Sequence, residues 1–269
     1  MKKRILSCLM ALALCLTLLP ATAQAANNTH KHPICGQTCS HNTGAGGTQH
    51  PDNAFENAKW LTSNKGSDSS LVIGEPGKTG GTQLDKDKDN KWILKTGTYY
   101  LEKIENHATD GGAKTYYPIK IEGNVTICLN GQEIQKAGTD TNPVFEVTSG
   151  NELTLTDCKS GGKVTHSTMN KDGSGVYVNG GTLNLYGGTI TGNNGQKNKD
   201  RYGGGVYVEK NGTFIMNNAA SVTGNEIGYG STGGAGVYVN GGKFTMNNDA
   251  SVATNKVKNS SGTFNGGGV

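Results

Sequence analysis

Four times in its carboxy-terminal half the chain writes nearly the same phrase: Gly175-Val176-Tyr177-Val178, Gly205-Val206-Tyr207-Val208, Gly236-Val237-Tyr238-Val239, and then Gly268-Val269. The spacings are 30, 31 and 32 residues. A period of this length means one supersecondary unit stacked on copies of itself. Each unit then touches only its neighbours, and none can bury an apolar face alone.

The clearest unit contains Val176-Tyr177-Val178, Leu183-Asn184-Leu185 and Thr189-Ile190-Thr191, closed by Gly192-Asn193. The next contains Val206 to Val208, Phe214-Ile215-Met216 and Ser221-Val222-Thr223, closed by Gly224-Asn225. The third contains Val237 to Val239, Phe244-Thr245-Met246 and Ser251-Val252-Ala253, closed by Thr254-Asn255. Upstream, the same triplets are legible at Ile119–Ile121, Val125–Leu129 and around Ile134, then at Val144–Val147, Leu153–Leu155 and Lys163–Thr165. Regular alternation begins at Trp92-Ile93-Leu94 and runs through Tyr99-Tyr100-Leu101. Glycine and asparagine corners with period-2 patterning exclude helical repeats, and a propeller blade needs about 40 residues and four strands.

The pattern predicts an all-β, right-handed parallel β-helix over residues 91–269, with three short strands per coil of about 30 residues. Coils start near 118, 143, 175, 205 and 236, and a further coil opens at 266. Successive coils lie about 4.8 Å apart. Five inward files follow: Val176/Val206/Val237, Val178/Val208/Val239, Leu183/Phe214/Phe244, Leu185/Met216/Met246 and Ile190/Val222/Val252. Strand alternation then sends Tyr177, Tyr207 and Tyr238 outward. Asn193, Asn225 and Asn255 form a corner file, where Asn tolerates left-handed backbone and amides can bond to the copies above and below. Forty-two glycines and 33% hydrophobic residues would otherwise fit disorder, but apolar residues held in register over successive units do not.

The amino terminus reads as a removable leader, residues 1–25. Lys2, Lys3 and Arg4 precede an apolar run from Ile5 to Leu19, Pro20 breaks it, and Ala23-Gln24-Ala25 offers a cleavage site before Ala26. About 15 apolar residues are short for a bilayer span, and no later run is longer, so the mature chain is expected to lack a transmembrane segment. The expected location is secreted or cell-surface. Without the leader, 25 basic residues fall to 22 against 21 acidic ones, and Arg201 is the remaining arginine. With no basic stripe, a nucleic-acid partner is not expected. Residues 26–66 form a polar His/Cys-containing segment in which Ala54, Phe55, Ala58, Trp60 and Leu61 are spaced for a short helix across Pro51–Ser63, with Asp52 as its N-cap. Residues 67–90 read as a loop.

These phrases resemble the Gly-Gly-Gly-Val-Tyr-Val repeat of exported bacterial right-handed β-helix proteins of the pectin-lyase-like superfold. Cys128-Leu129-Asn130-Gly131 and Leu153-Thr154-Leu155-Thr156-Asp157-Cys158 are also similar to recurrent phrases of large cell-surface proteins of that kind. Phe214-x-x-Asn217 and Phe244-x-x-Asn247 further resemble, in a different order and spacing, repeats of polymorphic outer-membrane adhesins. The resemblance covers roughly residues 91–269 and implies the fold and an exported setting. Enzymes of the superfold place clustered acids on neighbouring strands, as lyases with calcium and a basic residue or as glycosidases with paired carboxylates. The repeat coils here carry no such cluster. Glu209 stands alone beside Asn179 and Asn240, and Asp172, Asp200, Glu226 and Asp249 fall in loops or corners.

Three constellations bear on chemistry. His30-x-His32-x-x-Cys35-x-x-x-Cys39-x-His41 offers imidazoles and thiolates for a tetrahedral zinc site, but its spacing is not one of the recognised finger patterns, and no cofactor is expected. A local Cys35–Cys39 disulfide and a solvated linker are the alternatives. Asp85-x-Asp87-x-Asp89 starts like a calcium loop, but Asn90 occupies the glycine position and Thr96 the position of the bidentate glutamate, so a solvated charge run is expected. Cys128 and Cys158 lie about one coil apart; a disulfide between coils and two separate corner thiols both remain open.

The expected function is that of a binding or adhesion scaffold for a cell-surface or cell-wall glycan, or for a protein partner. The alternative is a polysaccharide lyase or glycoside hydrolase whose acids lie beyond residue 269. Tyr177, Tyr207 and Tyr238 are the candidate aromatic strip, unless they serve only to support one another. Segments Asn194–Tyr202, Glu226–Thr232 and Lys256–Asn265 read as loops on one side of the scaffold, with Lys197, Lys199 and Arg201 making that side mildly basic.

Overall fold

The computed structural model describes residues 58–63, 70–74, 81–101, 113–115, 117–137, 140–166, 173–195, 203–228, 233–257 and 267–269. The leader, the zinc candidates His30, His32, Cys35, Cys39 and His41, and the basic residues Lys197, Lys199 and Arg201 lie outside the described residues. What is described contains strands and no helix, and forms a parallel β-solenoid with turns of about 30 residues.

The chain enters through β1 (Lys59–Ser63), β2 (Leu71–Gly74) and β3 (Gly81–Gln83). The short helix expected across Pro51–Ser63 is therefore corrected over its described part, and the expected loop at 67–90 contains two strands. Leu61 and Ser63 point to the buried side of β1 and Trp60 and Thr62 away from it, a period-2 pattern that a helix reading of the same apolar residues obscured. β1 pairs antiparallel with β2, which pairs antiparallel with β3. Its other edge pairs parallel with β4 (Trp92–Leu101), so the solenoid begins one strand earlier than the sequence indicated.

Beyond β4 and β5 (Ala113–Thr115) the coils repeat. β6 (Ile119–Cys128) and β7 (Glu133–Lys136) make the next, and β8 (Phe145–Thr148), β9 (Glu152–Thr156) and β10 (Lys163–His166) the one after. β4 and β6 each span two expected strands. They stay continuous through a corner of only a few residues, at Gly97 and Gly123, with a register shift between Lys95 and Gly97. Between β8 and β9 a three-residue gap, Ser149-Gly150-Asn151, breaks the ladder instead.

The later coils are β11–β14 (Val176–Asn179, Thr182–Leu185, Thr189–Ile190, Asn194–Gly195), β15–β18 (Val206–Val208, Thr213–Met216, Ser221–Thr223, Glu226–Ile227) and β19–β22 (Val237–Val239, Lys243–Met246, Ser251–Ala253, Lys256–Val257). Their fourth, two-residue strands were expected to be loops. β14, β18 and β22 pair in parallel, Asn194 with Glu226 with Lys256, because the chain leaves the Asn corner still extended.

The register is the one the repeat predicts. Val176, Val206 and Val237 are partners, as are Leu183, Phe214 and Phe244, and Ile190, Val222 and Val252. The files extend upstream through Phe145 and Ile119, through Leu153 and Val125, and through Val164 and Ile134. Most of these side chains are fully buried, and together they form one continuous core. In the β19–β22 coil the same files open to solvent: Met246 is 41% exposed while its partner Met216 is at 0%.

Asparagine holds the corner. Asn225 Nδ2 donates to Ile190 O (2.9 Å), Thr223 O (3.2 Å) and Asn255 Oδ1 (3.0 Å), and its Oδ1 accepts from Asn193 N (3.2 Å) and Nδ2 (2.9 Å). Asn193 Oδ1 in turn accepts from His166 Nδ1 at 2.7 Å, since the Asn193 nitrogen is committed to carbonyls. The left-handed residue at this corner is the one before each asparagine, Gly192 (φ 67°), Gly224 (φ 64°) and Thr254 (φ 51°), and not the asparagine as expected. The glycine opening each phrase has a different reason. A Cβ on Gly205 would sit 2.5 Å from Gly236 O and from Val222 Cγ1, so Gly205→Ala must push apart two coils. We expect that variant to lose roughly 2–4 kcal/mol of stability, read from its urea midpoint; an unchanged midpoint would mean the coils breathe more than their spacing implies.

Candidate functional site

Two outward files run side by side on the sheet containing β4, β6, β8, β11, β15 and β19. Register places Ile93, Lys120, Glu146, Tyr177, Tyr207 and Tyr238 in one. Lys95, Glu122, Thr148, Asn179, Glu209 and Asn240 follow two residues further along each strand. Both files change character along the solenoid. At the amino-terminal end they hold ion pairs, Lys91–Glu146 at 2.5 Å and Lys120–Glu122 at 3.6 Å. Across the last three coils they become aromatic and amide-rich.

The tyrosines occupy the faces of their strands opposite the valine files. Their rings stack in a tilted column, with centroids 5.2 Å apart from Tyr177 to Tyr207 and 5.5 Å from Tyr207 to Tyr238. The outward aromatic strip is closed at its centre: Tyr207 is 2% exposed, whereas Tyr177 and Tyr238 remain half-buried. Stacked at coil spacing, the middle ring has a neighbour on each face, so its apolar area is used within the protein.

The polar edge of the column is a network of four residues. Tyr177 OH donates to Glu209 Oε2 at 3.0 Å, and Asn240 Nδ2 donates to Glu209 Oε1 at 3.1 Å and to Tyr207 OH at 3.3 Å. Glu209 follows the end of β15 and Asn240 the end of β19, and their backbone amides continue the ladder to Val178 O and Val208 O. The sequence named the tyrosines. It did not join Glu209 and Asn240 to them, although one-coil spacing and the outward parity of the second file carried that signal.

Burial and the nearby Glu209 carboxylate push the Tyr207 phenol up to about 12, against a partial lowering by the hydrogen bond from Asn240. A folded value above the ordinary phenol value means the native state keeps this proton longer than the unfolded chain. Its contribution to stability is complete below pH 10 and is lost as pH rises from about 10 to about 12. Glu209→Gln should bring the late phenolate step of a near-ultraviolet titration down toward the ordinary range. A titration unchanged by that substitution would show that the carboxylate does not act on the ring.

Other expectations resolve locally. Asp87 Oδ1 accepts from the amides of Asp89 and Lys91, both at 2.9 Å, and Lys95 pairs with Asp85 at 3.3 Å, so two of the three aspartates are used in a turn and an ion pair. Lys86 Nζ lies 4.2 Å from the Trp92 ring centroid and 3.6 Å from that of Tyr117. Cys128 and Cys158 are brought together, with sulfurs 3.2 Å apart. Among the described residues, no group of three or more His, Cys, Asp or Glu converges to hold a metal ion. No helix there is long and apolar enough to cross a membrane. No protein-family profile matches the chain, and no curated protein and no solved structure matches it significantly.

Proposed function

We propose that this chain is an exported, surface-displayed right-handed β-helix of the pectin-lyase-like kind that works as a binding scaffold, with a hydroxyl-rich glycan as its ligand. The observation that carries this reading is the Tyr177–Glu209–Asn240–Tyr207 network on a rigid sheet. A carboxylate and a primary amide beside half-buried aromatic rings supply the two contacts a sugar needs: hydrogen bonds to its hydroxyls and an apolar edge for its C–H face. Asn179, exposed like Asn240, adds a second amide on the other side of Glu209, so polar groups from three successive coils line up along the coil axis, which suits a chain of sugars rather than a single ring. The scaffold needs no rearrangement to present them, because the strands beneath are fixed by the valine files.

A glycan array probed with the full chain tests this. Wild type should bind a restricted set of oligosaccharides. Glu209→Gln and Tyr238→Ala should each weaken binding by about tenfold or more; Glu209→Gln should leave the urea midpoint nearly unchanged, whereas Tyr238→Ala should also lower it modestly, since it uncovers one face of the Tyr207 ring. Binding indifferent to both substitutions would remove this face from the proposal. Depolymerisation of the bound sugar would instead identify the chain as a carbohydrate-active enzyme.

A further inference from the structure

Cys128 and Cys158 occupy a corner that is built to keep them together. Cys128 ends β6, is fully buried, and packs with Ala58 and Tyr100 outside the main core. Its register partner is Thr156, and Cys158 follows two residues later at the exposed turn after β9. The turns of the two coils are tied by one carboxylate. Asp157 Oδ1 accepts from Gly131 N (2.7 Å) and Asp157 Oδ2 from Gly162 N (2.6 Å), so the residue preceding Cys158 is anchored to the turn that follows Cys128. Asn130, in left-handed conformation at φ 54°, donates its amide to Leu101 O (3.0 Å) in the coil before, and the Cys158 thiol faces Asn130 Oδ1 at 3.8 Å. The two sulfurs end 3.2 Å apart, a little over an ångström from the bonded separation of about 2.05 Å.

We infer that Cys128 and Cys158 form a disulfide that staples two consecutive coils. Both thiols lose their protons, one Sγ–Sγ bond forms, and two electrons pass to a small-molecule disulfide such as glutathione disulfide, which leaves as two thiols. Cys158, at the surface, is the sulfur the oxidant can reach and forms the mixed disulfide; Cys128, beneath it, displaces the small thiol. The oxidising setting rests on the export reading, but the chemistry can be tested without it. The staple matters because solenoid stability is a sum of nearest-neighbour interfaces, so a coil near one end can peel away without disturbing the rest. A covalent tie between adjacent coils there blocks fraying in a way that further apolar contacts do not.

The test is to oxidise the purified full chain with glutathione disulfide and map its tryptic peptides without reduction. Cys128 lies in peptide Ile121–Lys136 and Cys158 in Ala137–Lys159, while Cys8 and Cys15 share Ile5–Lys31 and Cys35 and Cys39 share His32–Lys59. The expected product is Ile121–Lys136 linked to Ala137–Lys159, with a thermal midpoint roughly 5–10 °C above that of the reduced chain. Cys158→Ser, at an exposed position, should abolish that redox-dependent shift while matching the reduced wild type. Linkage of either peptide to Ile5–Lys31 or His32–Lys59, or both thiols left alkylatable after oxidation, overturns the inference.

Discussion

Replacing Asn225 by alanine is expected to cost the solenoid about 3–5 kcal/mol, the largest effect of any polar substitution in the described coils. The side chain is fully buried and closes five hydrogen bonds, three as donor and two as acceptor, spanning the coils before and after its own. Alanine leaves Ile190 O and Asn193 N without those partners, away from water, and each such group costs about 1–3 kcal/mol. Asn225→Asp keeps the shape and the acceptor but turns a carboxylate oxygen toward Ile190 O and Asn255 Oδ1, so at neutral pH it should fare no better. The contrast is Asn247, which makes the same kind of coil-to-coil amide bond, to Asn217 at 2.9 Å, but in solvent. Asn247→Ala should stay within about 0.5 kcal/mol of wild type. Urea midpoints of the three variants decide the matter, and equal effects at Asn225 and Asn247 would refute burial as the source of the ladder's strength.

Phe214→Ala should destabilise by about 3–5 kcal/mol, and Phe244→Ala, in the same file one coil on, by roughly half as much. The two rings stack with centroids 5.0 Å apart and planes 19° from parallel, so they share an identical contact. They differ in what lies on the other side. Phe214 is at 0% exposure, with Leu183 on its far side, whereas Phe244 is only partly buried in the most open coil. Truncating the first leaves a cavity between two fixed layers; truncating the second leaves a dent that solvent and neighbours can fill. Hydrogen exchange should show the same gradient, with amides of β20 opening before those of β16 in the wild type. Equal losses for the two phenylalanines would mean that the β19–β22 coil is as well packed as the coils before it.

Where the repeat is strong, alternation and spacing were enough to read the fold. Val206, Phe214 and Val222 each had two equivalents 30 to 32 residues away, and stacking was the arrangement that could bury all of them. Reading failed where the repeat fades. Trp60 and Leu61 sit in a short apolar stretch with no second copy, and a helix and a strand explain its spacing equally well until β4 supplies a partner edge. The loops after Asn193, Asn225 and Asn255 looked polar and irregular, yet two residues of each pair in parallel, because the register is inherited from the corner before them.

The candidate site divides in the same way. Outward parity of Tyr177, Tyr207 and Tyr238 is a property of strand period and belongs to the sequence. That Tyr207 is enclosed while its neighbours stay half open, and that Glu209 bridges Tyr177 to Asn240, depends on which side chains adjacent coils bring within 3 Å or so of each other. Likewise, the count of residues between Cys128 and Cys158 left them two positions out of register. Asp157, by gripping both turns at once, set their sulfurs side by side. Periodicity thus determined which residues face the core and in what order they stack, since that follows from local backbone geometry repeated at a fixed interval. Tertiary structure alone decided the burial, pairing and proton affinity of the polar groups, because those depend on neighbours about thirty residues away and on how closely each corner lets them approach.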